Sequence, residues 1–220
     1  MARPKRQKSI NVLFIGNSFT SRNDLPGLIA QLATASGMSM QHKLIFAGGA
    51  SLRAHWNAGK ANQEIQTGKY DYVVLQEQST LPIKNAVRMH ENIRLFDEVI
   101  KRAGSKTVLY MTWARQHLPE TQKAISEAYT SIGKELKSIV VTVGTAWQRF
   151  QAKHSKPVLH DRDKSHPSMA GTYFAACIFF EVLFGTLPVR SDIEVTGIDT
   201  KDKMLLEKVA KHARPPNFKS

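Results

Sequence analysis

NVLFIGNSFT, at residues 11–20, is the stretch of this chain that decides its fold. The segment Asn11–Gly16 holds four apolar residues in succession, which is typical of a parallel strand covered by helices on both faces. Gly16 then allows a tight turn. The stretch therefore predicts a buried strand whose end presents Asn17 and Ser18 at one edge of a sheet.

Four more short runs rich in β-branched and apolar residues follow along the chain. They predict strands at Gln41–Phe46, Tyr72–Gln76, Lys106–Thr112 and Ile139–Val143. Longer segments between and after these strands predict helices at residues 26–36, 85–103, 120–136, 169–184 and 201–211. Because strands alternate with helices, the sequence predicts βαβ units and an α/β fold with a parallel sheet.

Length and composition set the class of protein. The chain has 220 residues, of which 42% are hydrophobic and 22% are charged, and these values exclude a wholly disordered chain. A single core serves chains of up to about 250 residues. We therefore expect one domain at residues 10–213, between mobile tails at residues 1–9 and 214–220. The single cysteine, Cys177, excludes an internal disulfide and a cysteine-rich zinc site.

The chain is strongly basic. It has 31 Lys and Arg against 18 Asp and Glu, which gives a formal net charge of +13. The cations are scattered, without the interleaved aromatic residues of a single-strand binder or the spacing of a recognition helix. A solvated basic surface is therefore favoured over a nucleic-acid function, and no nucleic acid is expected as an obligatory partner.

Two apolar segments bear on where the protein acts. The N-terminal cations precede an apolar run at residues 12–15 that is too short for a signal peptide, and no small-residue cleavage site follows it. The longest apolar stretch, at residues 174–184, is interrupted by Glu181 and is too short to span a membrane. The sequence therefore predicts a cytoplasmic protein without a membrane span, although a secreted form that had been trimmed would read the same.

Candidate chemistry lies where the strands end, because open α/β sheets bind ligands outside the carboxyl ends of their strands. These ends, with one later loop, supply a hydroxyl, glycine turns, amide donors and an Asp–His pair: Ser18, Gly48, Gly49, Gln76, Gln78, Asp163 and His166. Together these groups are the parts needed for acyl transfer.

Ser18 stands at a strand-to-helix turn, which holds a hydroxyl at the rim of a sheet and is typical of a nucleophile. Two alternatives stay open on the residues alone. In one, Asn17 or Ser18 merely caps the following helix. In the other, the turn cradles a phosphate at a helix N-terminus, although no P-loop lysine lies nearby.

Asp163 and His166 are three residues apart, so the carboxylate can reach Nδ1 of the imidazole and hold the tautomer whose Nε2 accepts a proton. One alternative is an ordinary surface pair. Another is a metal site formed by His160, Asp161, Asp163 and His166, but four ligands from one short loop rarely satisfy tetrahedral geometry. The acid–base interpretation is favoured, and no metal is expected.

Three blocks of this sequence, Gly16-Asn17-Ser18-Phe19, Gly48-Gly49 and Asp163-x-x-His166-Pro167, resemble those of the SGNH (GDSL-like) hydrolase superfamily over roughly residues 10–186. The resemblance implies a flavodoxin-like three-layer α/β/α sandwich, with a parallel five-stranded sheet in the order 2-1-3-4-5. It also implies an esterase that uses a Ser-His-Asp triad and an oxyanion hole, without a metal or an organic cofactor. A small-molecule ester is then the expected partner.

The resemblance implies a role for individual residues of this chain. Ser18 corresponds to the nucleophile, His166 to the general base and Asp163 to the acid that orients the base. The N–H groups of Ser18 and Gly49 correspond to donors of the oxyanion hole.

One block of the family pattern is missing. Where the family has Gly-x-Asn-Asp after its third strand, this chain has LQEQS at residues 75–79, which looks more like the glutamine-containing version found in some carbohydrate esterases. A glutamine amide can donate to an oxyanion as asparagine does. We expect Gln76, or alternatively Gln78, to be the third donor.

Residues after the fourth and fifth strands are predicted to line the substrate pocket. Trp113, Arg115 and Trp147 would lie at its mouth beside Asn17, where rings can stack on a sugar and a cation favours an acidic substrate; packing and solubility explain these residues equally well. The expected substrate is a small O-acyl or O-acetyl ester, for instance on a carbohydrate. The alternatives are a non-catalytic polyanion- or nucleic-acid-binding module and a ligand-binding pseudo-enzyme on the same fold.

Overall fold

Five parallel strands form one sheet in the computed structural model, which describes residues 9–188 and 193–211. Their bounds are β1 Ser9–Gly16, β2 Ser39–Phe46, β3 Tyr72–Leu75, β4 Lys106–Tyr110 and β5 Ile139–Val141. Every ladder is parallel, and the strands lie in the order β2-β1-β3-β4-β5. The predicted α/β class and the implied order 2-1-3-4-5 are therefore confirmed.

Ten α-helices lie in the described residues. They are α1 Ser18–Ser21, α2 Leu25–Ala35, α3 Leu52–Ala58, α4 Lys60–Thr67, α5 Leu81–Lys84, α6 Ala86–Arg102, α7 Gln122–Leu136, α8 Val143–Gln151, α9 Met169–Phe184 and α10 Thr200–Ala210. Short 3-10 turns at residues 22–24 and 119–121 precede α2 and α7.

Helices cover both faces of the sheet because successive side chains of β1 point to opposite sides. Phe14 packs in the core that includes α2 and α9, with its ring 6.0 Å from that of Phe179. Leu13 and Ile15 pack in the opposite core, which includes side chains of α4, α6 and α7. The molecule is therefore the three-layer α/β/α sandwich that the resemblance implies.

Some element boundaries differ from those predicted. β3, β4 and β5 end at Leu75, Tyr110 and Val141, before the predicted positions 76, 112 and 143, and Val143 already begins α8. The sequence did not predict α3, α4, α5 or α8. α3 and α4 each bury only two side chains, so the apolar periodicity is too weak to mark them.

The ends of the chain are described only in part. Ser9 pairs with Ser39 as the first residue of β1, which corrects its placement in the N-terminal tail. The rest of the predicted tails, at residues 1–8 and 214–220, lies outside the described residues. Among the helices of the described ranges, none has the length and apolar content needed to cross a membrane.

Gly16 is the last residue of β1, and its backbone lies against the side chain of Gln76, which follows the neighbouring strand β3. A Cβ at this position would lie 2.6 Å from Gln76 Oε1 and 2.8 Å from Thr20 Oγ1. The Gly16 carbonyl accepts a hydrogen bond from Nε2 of the buried His55 at 2.8 Å. Burial lowers the pKa of His55, so its neutral ring donates this bond without adding a charge. Close approach therefore restricts residue 16 to glycine.

Replacing Gly16 by alanine should lower the free energy of unfolding by about 1–3 kcal/mol, the usual cost of forcing an extra carbon into a packed site. Gly48→Ala is the matched control, since no atom lies within 4 Å of a Cβ built there. Urea unfolding of both variants checks the prediction. Equal losses of stability in the two variants would contradict it.

Candidate active site

The turn that follows β1 is held by Asn17. Its Oδ1 accepts a hydrogen bond from the Phe19 N–H at 3.1 Å and so caps α1, while its Nδ2 donates to the Ala50 carbonyl at 3.0 Å. Its backbone N–H donates to Gln76 Oε1 at 2.8 Å. Only 2% of Asn17 is exposed, so the prediction that it lines the substrate pocket is wrong. Asn17 instead ties the turn to the ends of β2 and β3.

Ser18 is the first residue of α1, and its side chain is half-buried at the rim of the sheet. Its Oγ lies 2.8 Å from Nε2 of His166, which is distant in the sequence. Because Asn17 supplies the cap of α1, the Ser18 hydroxyl is left to interact with the imidazole. The capping alternative therefore applies to Asn17 and not to Ser18.

Asp163 contacts the other ring nitrogen of His166, so Ser18, His166 and Asp163 form a line of three side chains. Its Oδ2 lies 2.5 Å from Nδ1 of His166, and its Oδ1 accepts hydrogen bonds from the N–H groups of Ser165 and His166 at 3.0 and 2.9 Å. Burial raises the pKa of the Asp163 carboxyl, but these hydrogen bonds outweigh it and hold the pKa well below its usual range. The ionised carboxylate fixes Nδ1 of His166 as a donor and leaves Nε2 able to accept the Ser18 proton.

The loop that carries the Asp–His pair is fastened to the segment after β4. Trp113 Nε1 donates to the Ser165 carbonyl at 3.0 Å. The Gln116 N–H donates to the Lys164 carbonyl at 2.9 Å. These two bonds hold the loop, and with it the imidazole, against the sheet.

Arg22 lies next to the Asp163–His166 pair, and no feature of the sequence identified this arginine. Its guanidinium lies 2.7 Å from Asp161 Oδ2 and 3.5 Å from Asp163 Oδ2. All three side chains are at least one-third exposed, so solvent screens the charges and the contact contributes little to stability. No sequence pattern marks this arginine, because the contact joins segments that are far apart in the chain.

His160 does not join the Asp–His pair in a metal site. It is buried, with Nε2 at 3.0 Å from the Ala114 carbonyl and Nδ1 at 3.2 Å from Gln151 Nε2. Burial lowers the pKa of His160, so the neutral ring donates at Nε2 and accepts at Nδ1. In the part of the chain that the structure describes, no three His, Cys, Asp or Glu side chains are grouped to hold a metal ion. The geometry therefore does not support the metal-site alternative.

The turn after β2 places Gly49 next to the turn of the candidate nucleophile. Gly49 is exposed and has a φ of +64°, a left-handed conformation that favours glycine. The Ala50 N–H closes this turn on the Ala47 carbonyl at 3.2 Å. The Ala50 carbonyl is the acceptor for Asn17 Nδ2, so the two turns are bonded to each other.

Gln76, the preferred third oxyanion donor, has no exposed surface. Its Oε1 accepts hydrogen bonds from the Asn17 N–H at 2.8 Å and from Thr20 Oγ1 at 3.0 Å, and its Nε2 donates to the Glu77 carbonyl at 2.5 Å. A side chain that the protein encloses completely cannot contact a substrate. The prediction of Gln76 as a donor is therefore wrong, and its amide is instead a structural bridge between β3 and the turn after β1.

Gln78, the alternative donor, is partly exposed. Its Oε1 accepts hydrogen bonds from the N–H and the hydroxyl of Thr80, both at 2.9 Å, and from the Leu81 N–H at 3.0 Å. With the oxygen occupied, Nε2 is the end of the side chain that remains for a ligand. Gln76 is thus buried with both ends of its amide engaged. Gln78 is partly exposed and is engaged through its oxygen.

Glu77, between the two glutamines, is a buried carboxylate that the sequence interpretation passed over. Its Oε1 accepts from the N–H groups of Leu52 and Gln78 at 2.9 and 2.7 Å, and its Oε2 accepts from Asn92 Nδ2 at 2.8 Å. Burial raises the pKa of Glu77, and these hydrogen bonds oppose that effect. Glu77 thereby ties α3 and α6 to the backbone of Gln78. The signal for this role was a charged residue at the end of an apolar strand.

A cavity of about 350 Å³ opens beside Gln78, between the segments that follow β3 and β4. Lys84, Trp113, Arg115 and Leu118 also line it. Trp113 and Arg115 therefore lie in the wall of a cavity, and that this cavity receives the substrate stays a prediction.

Trp147 does not line this cavity. Its ring stacks on that of Trp113, with centroids 4.0 Å apart and planes 4° from parallel, and only 1% of Trp147 is exposed. Trp113 is itself 2% exposed, and the ring of Phe19 lies 5.2 Å from it. The assignment of Trp147 to the pocket is therefore wrong, and neither indole is free to stack on a sugar.

Gln76→Ala should lower the free energy of unfolding by about 1–3 kcal/mol, because the buried Asn17 N–H and Thr20 hydroxyl would lose their acceptor. Gln116→Ala, at an exposed position, is the matched control and should change stability little. Chemical denaturation of both variants measures the difference. A Gln76→Ala variant as stable as the control would show that the bridge is not needed.

No protein-family profile and no curated protein matches this sequence. Solved structures do match it. A proposed SGNH hydrolase from Slackia heliotrinireducens aligns with a TM-score of 0.69 and 25% identity, over 80% of this chain and 100% of that chain. A DUF4886 family protein from Bacteroides uniformis aligns with a TM-score of 0.75 and 21% identity, over 92% of this chain and 93% of that chain.

A catalytic mutant of Axe2, an acetylxylan esterase from Geobacillus stearothermophilus, aligns with a TM-score of 0.60 and 17% identity. This match covers 84% of this chain and 98% of that chain. Identities of this size show a shared fold, and the shared fold extends over nearly the whole of each of these solved structures.

Proposed function

We propose that this chain, which has the fold of the SGNH hydrolases, is a serine hydrolase that cleaves small esters. One observation carries the proposal: Ser18, His166 and Asp163 form a continuous line of contacts of 2.8 and 2.5 Å. A hydroxyl, an imidazole and a carboxylate in this order are the parts needed to activate an oxygen nucleophile. The acetylxylan esterase among the structural neighbours supports ester chemistry.

In the first half of the reaction, Ser18 Oγ attacks the ester carbonyl carbon while its proton passes to Nε2 of His166. The ionised Asp163 stabilises the imidazolium through Nδ1. When the tetrahedral intermediate collapses, the bond to the alcohol oxygen breaks and His166 returns the proton to that oxygen. The alcohol leaves, and the acyl group remains on Ser18.

In the second half, a water molecule takes the place of the alcohol. His166 accepts a proton from the water as its oxygen attacks the acyl carbon, and it then protonates Ser18 Oγ as the acid leaves. The enzyme is restored, and each proton taken up by the imidazole is returned. These steps require no metal or organic cofactor.

The oxyanion is assigned three donors. Two are the backbone N–H groups of Ser18 and Gly49, as the resemblance implies. The third is Nε2 of Gln78, because the Gln78 oxygen is already fixed by Thr80 and Leu81 and the residue lines the cavity. Fixed donors of this kind stabilise charge that exists only in the transition state.

The proposed substrate is a small O-acyl ester, with a carbohydrate as the alcohol. The acetylxylan esterase among the structural neighbours supports an acetyl group on a sugar. The cavity beside Gln78, at about 350 Å³, has a volume at the lower end of those typical for small-molecule sites. This volume suits one small ring or a group of similar size.

Ser18→Ala should lower kcat/KM for 4-nitrophenyl acetate by about a thousandfold or more, because it removes the attacking atom. Ser21→Ala is the matched control, since Ser21 belongs to the same short helix and its loss leaves the triad intact. Initial rates with circular dichroism spectra check the effect on folded protein. A folded Ser18→Ala variant with unchanged rates would favour the ligand-binding pseudo-enzyme alternative.

Gln78→Ala should lower kcat by about a hundredfold with little change in KM, since its amide meets charge that develops only in the transition state. Gln116→Ala is again the control for loss of an exposed glutamine. Steady-state kinetics of both variants on one ester measure the effect. Unchanged kcat in Gln78→Ala would leave an oxyanion hole of two donors.

A further inference from the structure

The cavity beside Gln78 is joined to the proposed catalytic groups through Trp113. The ring of Phe19 lies 5.2 Å from the ring of Trp113 and 5.2 Å from that of His166. Trp113 also donates to the Ser165 carbonyl, next to the histidine. Trp113, which lines the cavity, therefore packs against Phe19, the residue that follows Ser18 and that also contacts His166.

Two cations line this cavity without a carboxylate to neutralise them. Lys84 ends α5 and Arg115 follows β4, and neither forms an ion pair with any Asp or Glu of the described residues. No acidic residue is part of the lining. The nearby carboxylate of Glu77 is buried and turned towards α3 and α6. The residues that line the cavity therefore carry two positive charges and no negative one, with the exposed Glu120 the next carboxylate along the chain.

The remaining lining combines apolar and hydroxyl groups. Ile83 and Leu118 line the cavity and are 42% and 41% exposed, so two large apolar side chains meet solvent at this one place. Ser79, Thr80 and Thr121 add polar groups. A bare inorganic anion would leave the apolar surface uncovered, whereas an organic anion would cover it and satisfy the cations.

We propose that this cavity selects esters whose alcohol part carries a carboxylate, with Arg115 as the main specificity-determining residue and Lys84 in support. This inference rests on the proposed ester hydrolysis at Ser18. The planar guanidinium can bind a carboxylate through two parallel hydrogen bonds, and the ammonium adds a second positive charge. The acyl group stays at Ser18 while the charged alcohol part occupies the cavity.

Two acetate esters test the selectivity. 4-Acetoxybenzoate carries a carboxylate, whereas its methyl ester has the same acetyl group and ring without the charge. In wild-type protein we expect kcat/KM to favour the acid. Arg115→Gln should lower the ratio of acid to methyl ester by about tenfold, and Lys84→Gln should lower it less.

Lys153→Gln is the matched control, because it removes one positive charge at a separate cavity beside α8 and α10. In Lys153→Gln, the ratio of kcat/KM for the acid to that for the methyl ester should equal the wild-type ratio. This comparison separates binding at Arg115 from the effect of the protein's overall positive charge. An unchanged ratio in Arg115→Gln, or an equal fall in Lys153→Gln, would overturn the proposal.

A binding measurement keeps this inference separate from the proposed hydrolysis. In Ser18→Ala protein, calorimetric titration with 4-acetoxybenzoate reports binding without turnover. Affinity that falls about tenfold on adding Arg115→Gln supports the carboxylate site even if neither ester is hydrolysed by the wild type. Two results together would reject the carboxylate site while supporting the proposed ester hydrolysis. They are hydrolysis of both esters by the wild type with no charge preference, and equal affinity of Ser18→Ala with and without Arg115→Gln.

Discussion

The amide oxygen of Gln76 accepts hydrogen bonds from the Asn17 N–H and the Thr20 hydroxyl, and the rest of the site is arranged around this contact. Only a glycine at position 16 lets the amide come so close to β1. Because Gln76 Oε1 binds both ends of the turn after β1, it fixes the path of the backbone there. On this path Ser18 reaches the rim of the sheet, while Asn17 and Phe19 stay buried. A residue without access to substrate thus sets the position of the proposed nucleophile.

The proposed base and acid are positioned in a different way. Asp163 is exposed, so ion pairing in solvent contributes little to holding it. The loop is held instead by backbone hydrogen bonds and by the indole of Trp113, which is stacked on Trp147. The two tryptophans act through packing. Trp113 alone of the two lines the cavity beside Gln78, where the proposed selection of substrate rests on charge.

The strands and the outline of the site could be predicted because each depends on local sequence. Apolar runs mark the strands, and Asp163 and His166 lie three residues apart in one loop. The choice between Gln76 and Gln78 could not be made this way, since both follow the same strand. Which amide is enclosed depends on Gly16 and Thr20, which the pairing of β1 with β3 brings alongside. Contacts of this kind are tertiary and leave no periodic signal.

Covalent labelling tests the central claim, that the hydroxyl of Ser18 is an activated nucleophile. The protein is treated with a fluorophosphonate, and the adduct is located by mass spectrometry with fragmentation of the tryptic peptide at residues 9–22, which also contains Ser9 and Ser21. The account predicts one adduct per chain, on Ser18, and none in folded His166→Ala protein. An unlabelled native protein, or an adduct on any other residue, would contradict it.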